Sequence, residues 1–290
     1  MTTTDRLTVA KTYKLYVGGA FPRSESGRSY AVTGAGGTLL AHAALASRKD
    51  VRDAVSSARA AFPGWAGATA YNRGQVLYRV AEMLQGRRAQ FVDDVVAAEG
   101  VRKGQAATLV DTAIDRWVWY AGWTDKIASV LGSVNPVAGP LVNWSTPEPT
   151  GVVGVLAPRS SSLLGLVDVL APVLATGCTA VVVASEARPL PAVELAEVLA
   201  TSDVPGGVAN VLTGRTAELA PWLAAHGEVQ ALDLVGAPAE LAADLERAAA
   251  EGVKRVLPRP AAEPDWTRVP ELTRLRAWTE IKTVWHPVGR

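Results

Sequence analysis

Gly151-Val-Val-Gly-Val-Leu-Ala-Pro-Arg-Ser-Ser-Ser162 runs from an apolar stretch into a proline and serine turn, and an Ala/Leu-rich segment over 163–175 follows it directly. A short apolar run with no polar alternation, closed by turn residues, reads as a strand buried on both faces. The same unit recurs downstream. Strands are predicted over 152–156, 179–183, 209–212, 231–235 and 254–257, with helices over 163–175, 191–201, 216–225 and 239–250 between them. Four such alternations predict an α/β fold with a doubly wound parallel sheet of about five strands.

Upstream the pattern is helical after a short strand pair over 14–19 and 29–32. Ser47-Arg-Lys-Asp50 has capping-box spacing, and Val51, Ala54, Val55, Ala58 and Phe62 follow at helical intervals, so a helix should run to about Pro63-Gly64. Further helices are predicted over 69–86, 88–99 and 105–127, the last carrying Trp117, Trp119, Tyr120 and Trp123 as a helix-packing stripe. Downstream, Pro258-Arg-Pro-Ala-Ala-Glu-Pro-Asp265 reads as a linker. A final strand over 280–286 has no nearby hairpin partner, so it must pair with something remote in sequence or in another chain.

With 290 residues, 49% of them hydrophobic, the chain can bury one large or two ordinary cores, and its net charge of +1 argues against nucleic acid or a membrane as a partner. The longest apolar runs are too short to cross a bilayer. Met1-Thr-Thr-Thr-Asp-Arg6 lacks the apolar core of a signal peptide, and one cysteine, Cys178, cannot form an internal disulfide; both predict a cytoplasmic setting. His42, His226 and His286 are scattered, so no metal site is expected. Locally the charge is uneven: residues 151–250 hold 4 basic against 11 acidic residues, a balance of −7.

A nucleotide in such a sheet lies at the carboxyl ends of the strands. The first turn there, Ala157-Pro-Arg-Ser160-Ser161-Ser162, contains no glycine, and neither G-x-G-x-x-G nor a P-loop occurs. The serines read as helix caps before phosphate ligands. Glu186 follows the second strand, where a carboxylate either meets a ribose hydroxyl or is an exposed loop residue. Cys178 reads as a small buried residue.

Tyr120-Ala-Gly-Trp-Thr-Asp-Lys-Ile127, Ala60-Ala-Phe-Pro-Gly-Trp65, Pro149-Thr-Gly-Val-Val-Gly154, Ala171-Pro-Val-Leu-Ala175, Val204-Pro-Gly-Gly-Val-Ala-Asn-Val-Leu-Thr-Gly214 and Ala277-Trp-Thr-Glu-Ile-Lys-Thr-Val-Trp285 together resemble the aldehyde dehydrogenase superfamily, in order along the chain. The resemblance implies a Rossmann-like core over 151–257, joined to the helical part over 1–130. It also implies a β-strand oligomerisation arm over 131–150 and 277–290, centred on Leu141, Val142, Trp144, Ile281, Thr283 and Trp285. Between them, 258–276 stands where the family inserts its catalytic domain.

The same resemblance implies departures. Pro158-Arg159-Ser160 replaces the family's Pro-Trp-Asn, Val183-Ala-Ser-Glu186 keeps only the Glu of its ribose-binding turn, and Val235-Gly236-Ala237 stands for its Thr-Gly-Ser. On this basis the chain is expected to be a truncated, degenerate member: a pseudoenzyme with no catalytic residue and no cofactor, or weak NAD binding at most. Glu186, Ser160 and Gly236 would then be vestigial cofactor contacts. Its expected role is to assemble through the arm with a full-length aldehyde dehydrogenase and stabilise or regulate it. The alternatives are a weak NAD-dependent aldehyde dehydrogenase acting only with a partner chain, or an NAD-sensing regulatory module.

Overall fold

The computed structural model describes residues 9–288. The N-terminal half contains β1 (Thr12–Tyr13), β2 (Ser29–Thr33), β3 (Leu39–Ala44), α1 (Arg48–Gly67), α2 (Ala70–Gly86), α3 (Arg88–Glu99), α4 (Lys103–Ala121), α5 (Ile127–Leu131), β4 (Ser133–Asn135) and β5 (Leu141–Pro149). The second half alternates as β6 (Val152–Leu156), α6 (Leu164–Ala175), β7 (Thr179–Val183), α7 (Leu190–Ala200), β8 (Ala209–Leu212), α8 (Thr216–Ala225), β9 (Ala231–Asp233), α9 (Ala239–Glu251) and β10 (Arg255–Leu257), then α10 (Thr273–Ala277) and β11 (Thr279–Pro287).

Strands β10-β9-β6-β7-β8 form an all-parallel sheet in that order. The chain steps outward from β6 through β7 to β8, then returns to the other side of β6 for β9, which places the switch point between β6 and β9. Every residue of β6, β7 and β8 is buried, as the unbroken apolar runs require. Helices α2, α3, α4, α6 and α7 cover one face in the larger core. The other face packs against α1, α8 and α9. Trp117 and Tyr120 are buried in the larger core and Trp119 and Trp123 pack at its margin, so the aromatic stripe is packing.

The capping box is present: the Ser47 hydroxyl accepts from Lys49 N at 3.2 Å and Asp50 Oδ2 accepts from Ser47 N at 2.8 Å. The helix it starts runs past Pro63 to Gly67, where a stop near Pro63-Gly64 was expected. Pro63 lies just before the last turn, and Trp65, buried beyond it, donates its indole N–H to Leu174 O at 3.0 Å, which holds the extra turn against α6.

Three other expectations need correction. The predicted helix over 105–127 ends at Ala121, and a separate short helix begins at Ile127. The predicted strand over 14–19 is reduced to isolated bridges, Tyr16 to Val211 and Val17 to Ala20, while β3 was not expected at all. Its Leu-Leu-Ala-His-Ala-Ala composition is too weak in β-branched residues to announce a strand.

β11 pairs within the chain: it runs antiparallel to β5 in continuous register from Thr279 opposite Pro149 to Pro287 opposite Leu141. With β4 they form a separate three-stranded antiparallel sheet of the oligomerisation-arm type. Its length far exceeds that of β4, so β5 and β11 carry it.

Candidate functional site

The carboxyl ends of β6, β7 and β9 open into a groove of about 970 Å³, lined among others by Tyr30, Arg159, Ser160, Glu186, Arg188, Arg215 and Gly236. Such a groove is the expected place for a ligand on a doubly wound sheet, and its size is in the range of small-molecule pockets. All three residues singled out from the sequence, Ser160, Glu186 and Gly236, therefore meet in one groove.

Glu186 stands beyond the end of β7. Its Oε1 receives Arg215 Nη1 at 2.5 Å and its Oε2 receives the backbone N–H of Thr216, the first residue of α8, at 3.1 Å. It is thus more than an exposed loop carboxylate, because it neutralises the positive end of a helix. Arg215 in turn lies over the Tyr30 ring, 5.7 Å from its centroid. Burial, with the Glu186 charge behind it, raises the Tyr30 phenol well above its ordinary value, so it stays protonated and donates to Glu186 O at 3.4 Å.

Gly236 has no room for a side chain: a Cβ would collide with the carbonyl oxygen of Ala157 at the end of β6. The turn after β9 and the turn after β6 are therefore in close backbone approach at the switch point.

The serines divide. The N-cap of α6 is Leu163, not one of the serines; Ser161 Oγ, two positions before it, nonetheless accepts from Gly165 N at 2.9 Å and so satisfies one first-turn N–H. Ser160 instead takes part in an anion nest. One carboxylate, Glu263, accepts from Arg159 N at 3.1 Å, Ser160 N at 3.0 Å, Ser161 N at 3.3 Å, Ser160 Oγ at 2.5 Å and Trp266 Nε1 at 3.0 Å. Burial alone would raise the Glu263 carboxyl, but these donors outweigh it and leave its pKa below the ordinary value. Glu99 similarly takes Ser162 N at 2.6 Å and Ser162 Oγ at 2.7 Å.

The local charge corrects the sequence average. Of the four basic residues in 151–250, Arg159, Arg188 and Arg215 line the groove, facing Glu186 and Glu240. The −7 balance of that region is therefore not the charge of the groove: Asp168, Glu194 and Asp233 are buried and paired with Arg116, Arg87 and Arg274, and of the rest only Glu186 and Glu240 line it. The sequence reading missed Arg188, Arg215 and Glu263. The first two each follow a strand end by a few residues, a usable signal. Glu263 approaches from 103 positions away and had none.

Cys178 is fully buried at the opposite, amino-terminal end of β7, and its Sγ donates to Trp278 O at 3.2 Å. Burial raises its thiol pKa, so it is an inert packing residue. The described residues hold no group of three or more His, Cys, Asp or Glu side chains arranged to bind a metal. None of the described helices is long and apolar enough to cross a membrane. The signal-peptide reading of Met1 to Arg6 lies outside the described residues.

In the arm sheet Leu141, Val142 and Trp144 lie on β5 and Ile281, Thr283 and Trp285 on β11. Directly opposed residues share a face, so Leu141 falls with Ile281, Thr283 and Trp285, while Val142 and Trp144 occupy the other face. Ile281 and Trp285 are more than half exposed.

Residues 22–258 match the aldehyde dehydrogenase family model. The chain is 32% identical, over 84% of its own length and 50% of the relative's, to (Z)-2-((N-methylformamido)methylene)-5-hydroxybutyrolactone dehydrogenase of Acinetobacter baylyi. It is 30% identical to the human cytosolic 10-formyltetrahydrofolate dehydrogenase, over 80% of this chain and 26% of that one. It superposes on the NAD+ complex of aldehyde dehydrogenase from Bacillus cereus with a TM-score of 0.79 at 25% identity, covering 85% of this chain and 50% of that one. The chain thus spans half or less of the length of these relatives. These matches overturn three expectations: a degenerate pseudoenzyme, a non-catalytic accessory subunit and the absence of a cofactor. The matched fold is that of dehydrogenases, one of them with NAD+ in place, and it gathers Arg159, Arg188 and Arg215 around Ser160, Glu186 and Gly236, a grouping that single motifs do not show.

Proposed function

The chain belongs to the aldehyde dehydrogenase family, and from that premise we propose that it is the dinucleotide-binding part of an NAD-dependent aldehyde dehydrogenase that acts with a partner chain. The observation that carries this reading is the nucleotide-sized groove on the carboxyl ends of β6, β7 and β9, in a chain that superposes on an NAD+ complex.

The residues present fit the cofactor. Gly236 lets two turns approach so closely that a side chain would block them. Arg159, Arg188 and Arg215 bring positive charge to the groove, and Arg215, already on Glu186, places a cation beside the carboxylate that follows β7. Glu186 would hold ribose hydroxyls. The three guanidiniums would hold the phosphates, joined by the Arg159, Ser160 and Ser161 N–H groups where a phosphate displaces Glu263 from them. Bound there, NAD would accept the hydride lost by an aldehyde carbon on oxidation to the acid level.

Within that shared active site this chain binds and orients the dinucleotide. Its buried Cys178, at the far end of β7, does not face the groove, so the attacking thiol belongs to the partner in this reading. The partner is a full-length aldehyde dehydrogenase, engaged through β5 and β11 by way of the exposed Ile281 and Trp285. A cytoplasmic setting is part of the same reading and rests on the unpaired thiol of Cys178.

The test has two readouts. Calorimetric titration of the chain with NAD and NADP should give saturable binding, and co-expression with a full-length homologue should give a complex that reduces NAD in the presence of aldehydes. Absence of saturable binding by both the chain and the complex would overturn the cofactor assignment. A chain that never co-elutes with the homologue would overturn the partner assignment.

A further inference from the structure

We propose that the free edge of β11 pairs with the β11 of a second copy of this chain, around a twofold axis at Thr283, so that the two arm sheets join into one. This self-association does not rest on the dehydrogenase reading.

The hydrogen bonds at the two ends of the β5–β11 ladder show which backbone groups are free. Thr150 N donates to Trp278 O at 3.1 Å, and Val288 N donates to Pro140 O at 2.8 Å. In an antiparallel pair, hydrogen-bonded and non-hydrogen-bonded positions alternate. With the observed register the even-numbered residues of β11 therefore bond to β5, and Thr279, Ile281, Thr283, Trp285 and Pro287 turn their backbone groups outward. The prolines agree: Pro147, Pro149 and Pro287 all stand at positions where this ladder needs no N–H.

The outward row is short and symmetric. Thr279 O is already held by Arg255 Nη1 at 2.8 Å, and Pro287 has no N–H to offer. Between them Ile281, Thr283 and Trp285 keep both backbone groups without a partner among the described residues. These positions are centred on Thr283. A copy turned around that residue sets Thr283 opposite Thr283 and each Ile281 opposite the Trp285 of the other copy, and every opposed pair exchanges both of its N–H···O bonds.

The side chains select the same axis. Ile281 and Trp285 are 54% and 61% exposed, and pairing places an Ile–Trp contact on either side of a Thr–Thr contact, combinations that stabilise antiparallel strands. On the other face Glu280 meets His286, an acceptor and a donor, and Lys282 meets Val284. An axis on Lys282 would oppose two like charges and set Trp285 against the occupied Thr279 oxygen. An axis on Val284 would set Ile281 against Pro287, which cannot donate. No bulge interrupts the nine residues of the edge, and Lys282, its one lysine, is turned to Glu148 at 3.0 Å.

Sedimentation equilibrium of the full chain alone tests the pairing, over a concentration series because one strand pair lies at the small end of interface sizes. The parent should pass from monomer to a dimer of twice the mass as concentration rises. Thr283→Lys and Thr283→Glu each place like charges on the axis. Each should weaken the dimer at least ~10-fold, while an equimolar mixture of the two should restore it. Thr283→Pro removes an outward N–H that β5 does not use and should weaken the dimer likewise. Thr283 is exposed and its hydroxyl meets only Ser145 Oγ, so the variants should keep the parent's circular dichroism. A parent that stays monomeric throughout, a dimer indifferent to the Thr283 substitutions, or charged variants that do not recover on mixing would overturn the proposal. No other protein is present in these measurements, so none of these outcomes bears on assembly with a full-length dehydrogenase, which would compete for the same edge.

Discussion

Glu263 occupies donors that a phosphate could use. A carboxylate held by three backbone N–H groups, a hydroxyl and an indole N–H is bound as an external anion would be, with the segment between β10 and α10 that carries it as a tether. In Glu263→Gln the charge-assisted bonds, worth roughly 1.5–3 kcal/mol each, are exchanged for weaker neutral ones. The N–H groups of Arg159, Ser160 and Ser161 then become easier to recruit. NAD affinity measured by calorimetry should rise about tenfold relative to the parent chain. Unchanged or weaker binding would mean that Glu263 and the cofactor do not compete. The converse holds for Glu186→Ala, which removes the carboxylate beside the strand end and should weaken NAD binding about tenfold, on the same scale for one charged contact.

Asp94 gives a residue-scale prediction of stability. Its carboxyl is raised to about 6 by burial and by the nearby Glu194 charge, with Arg87 and Lys11 in partial opposition, and its Oδ2 finds no hydrogen-bond partner among the described residues. A carboxyl whose folded pKa exceeds its unfolded value binds more protons when folded, so its unfavourable contribution grows as the pH rises from about 4 to about 6 and is complete above that. Asp94→Asn should therefore raise stability at pH 7 by about 1–2 kcal/mol, discounted for partial exposure, and have little effect near pH 4. Urea unfolding at the two pH values checks it; an equal effect at both would point to packing.

At the scale of elements, Asp50 ties α1 to the chain before it. Besides closing the capping box it accepts from Ser24 Oγ at 2.8 Å and Glu25 N at 3.1 Å while nearly fully buried. Asp50→Ala strands three donors and should cost about 2–4 kcal/mol in urea unfolding, against about 1 kcal/mol for Ser47→Ala, which loses the cap and an exposed bond to Glu25 Oε1 at 3.0 Å. A loss no larger than that of Ser47→Ala would show that the Ser24–Glu25 turn adds nothing. Both Ser47 and Asp50 were readable in sequence because a capping box is local. So were β6, β7 and β8, whose buried runs coincide with the predicted ones. What local patterns could not give were contacts made across the chain. Tyr16 bridges to Val211 in place of extending a strand, and the Ala-rich β3 exists because β1 and β2 hold it from both sides. The site followed the same rule: Glu186, Ser160 and Gly236 sit at strand ends that the alternation locates, whereas Glu263 arrives from a segment read as a bare linker.

At the scale of the whole molecule, β5 and β11 form a nine-residue antiparallel ladder, tied by the Ser145 and Thr283 hydroxyls at 2.9 Å and by Lys282 to Glu148 at 3.0 Å. β5 is paired on both sides, by β4 over part of its length and by β11 throughout, so the outer edge of β11 is the long edge that remains unpaired among the described residues. A long edge strand bearing exposed Ile281 and Trp285 invites pairing with another chain. Substituting both with glutamate places charge on that surface without touching the parallel sheet, where the larger cores lie. Ile281→Glu/Trp285→Glu should keep the parent's circular dichroism and NAD affinity while losing co-elution with a full-length aldehyde dehydrogenase, followed by size-exclusion chromatography with mass detection. Retained co-elution would move the interface away from β11. Loss of NAD affinity together with assembly would instead show that the arm and the groove are coupled, which the separation of their sheets argues against.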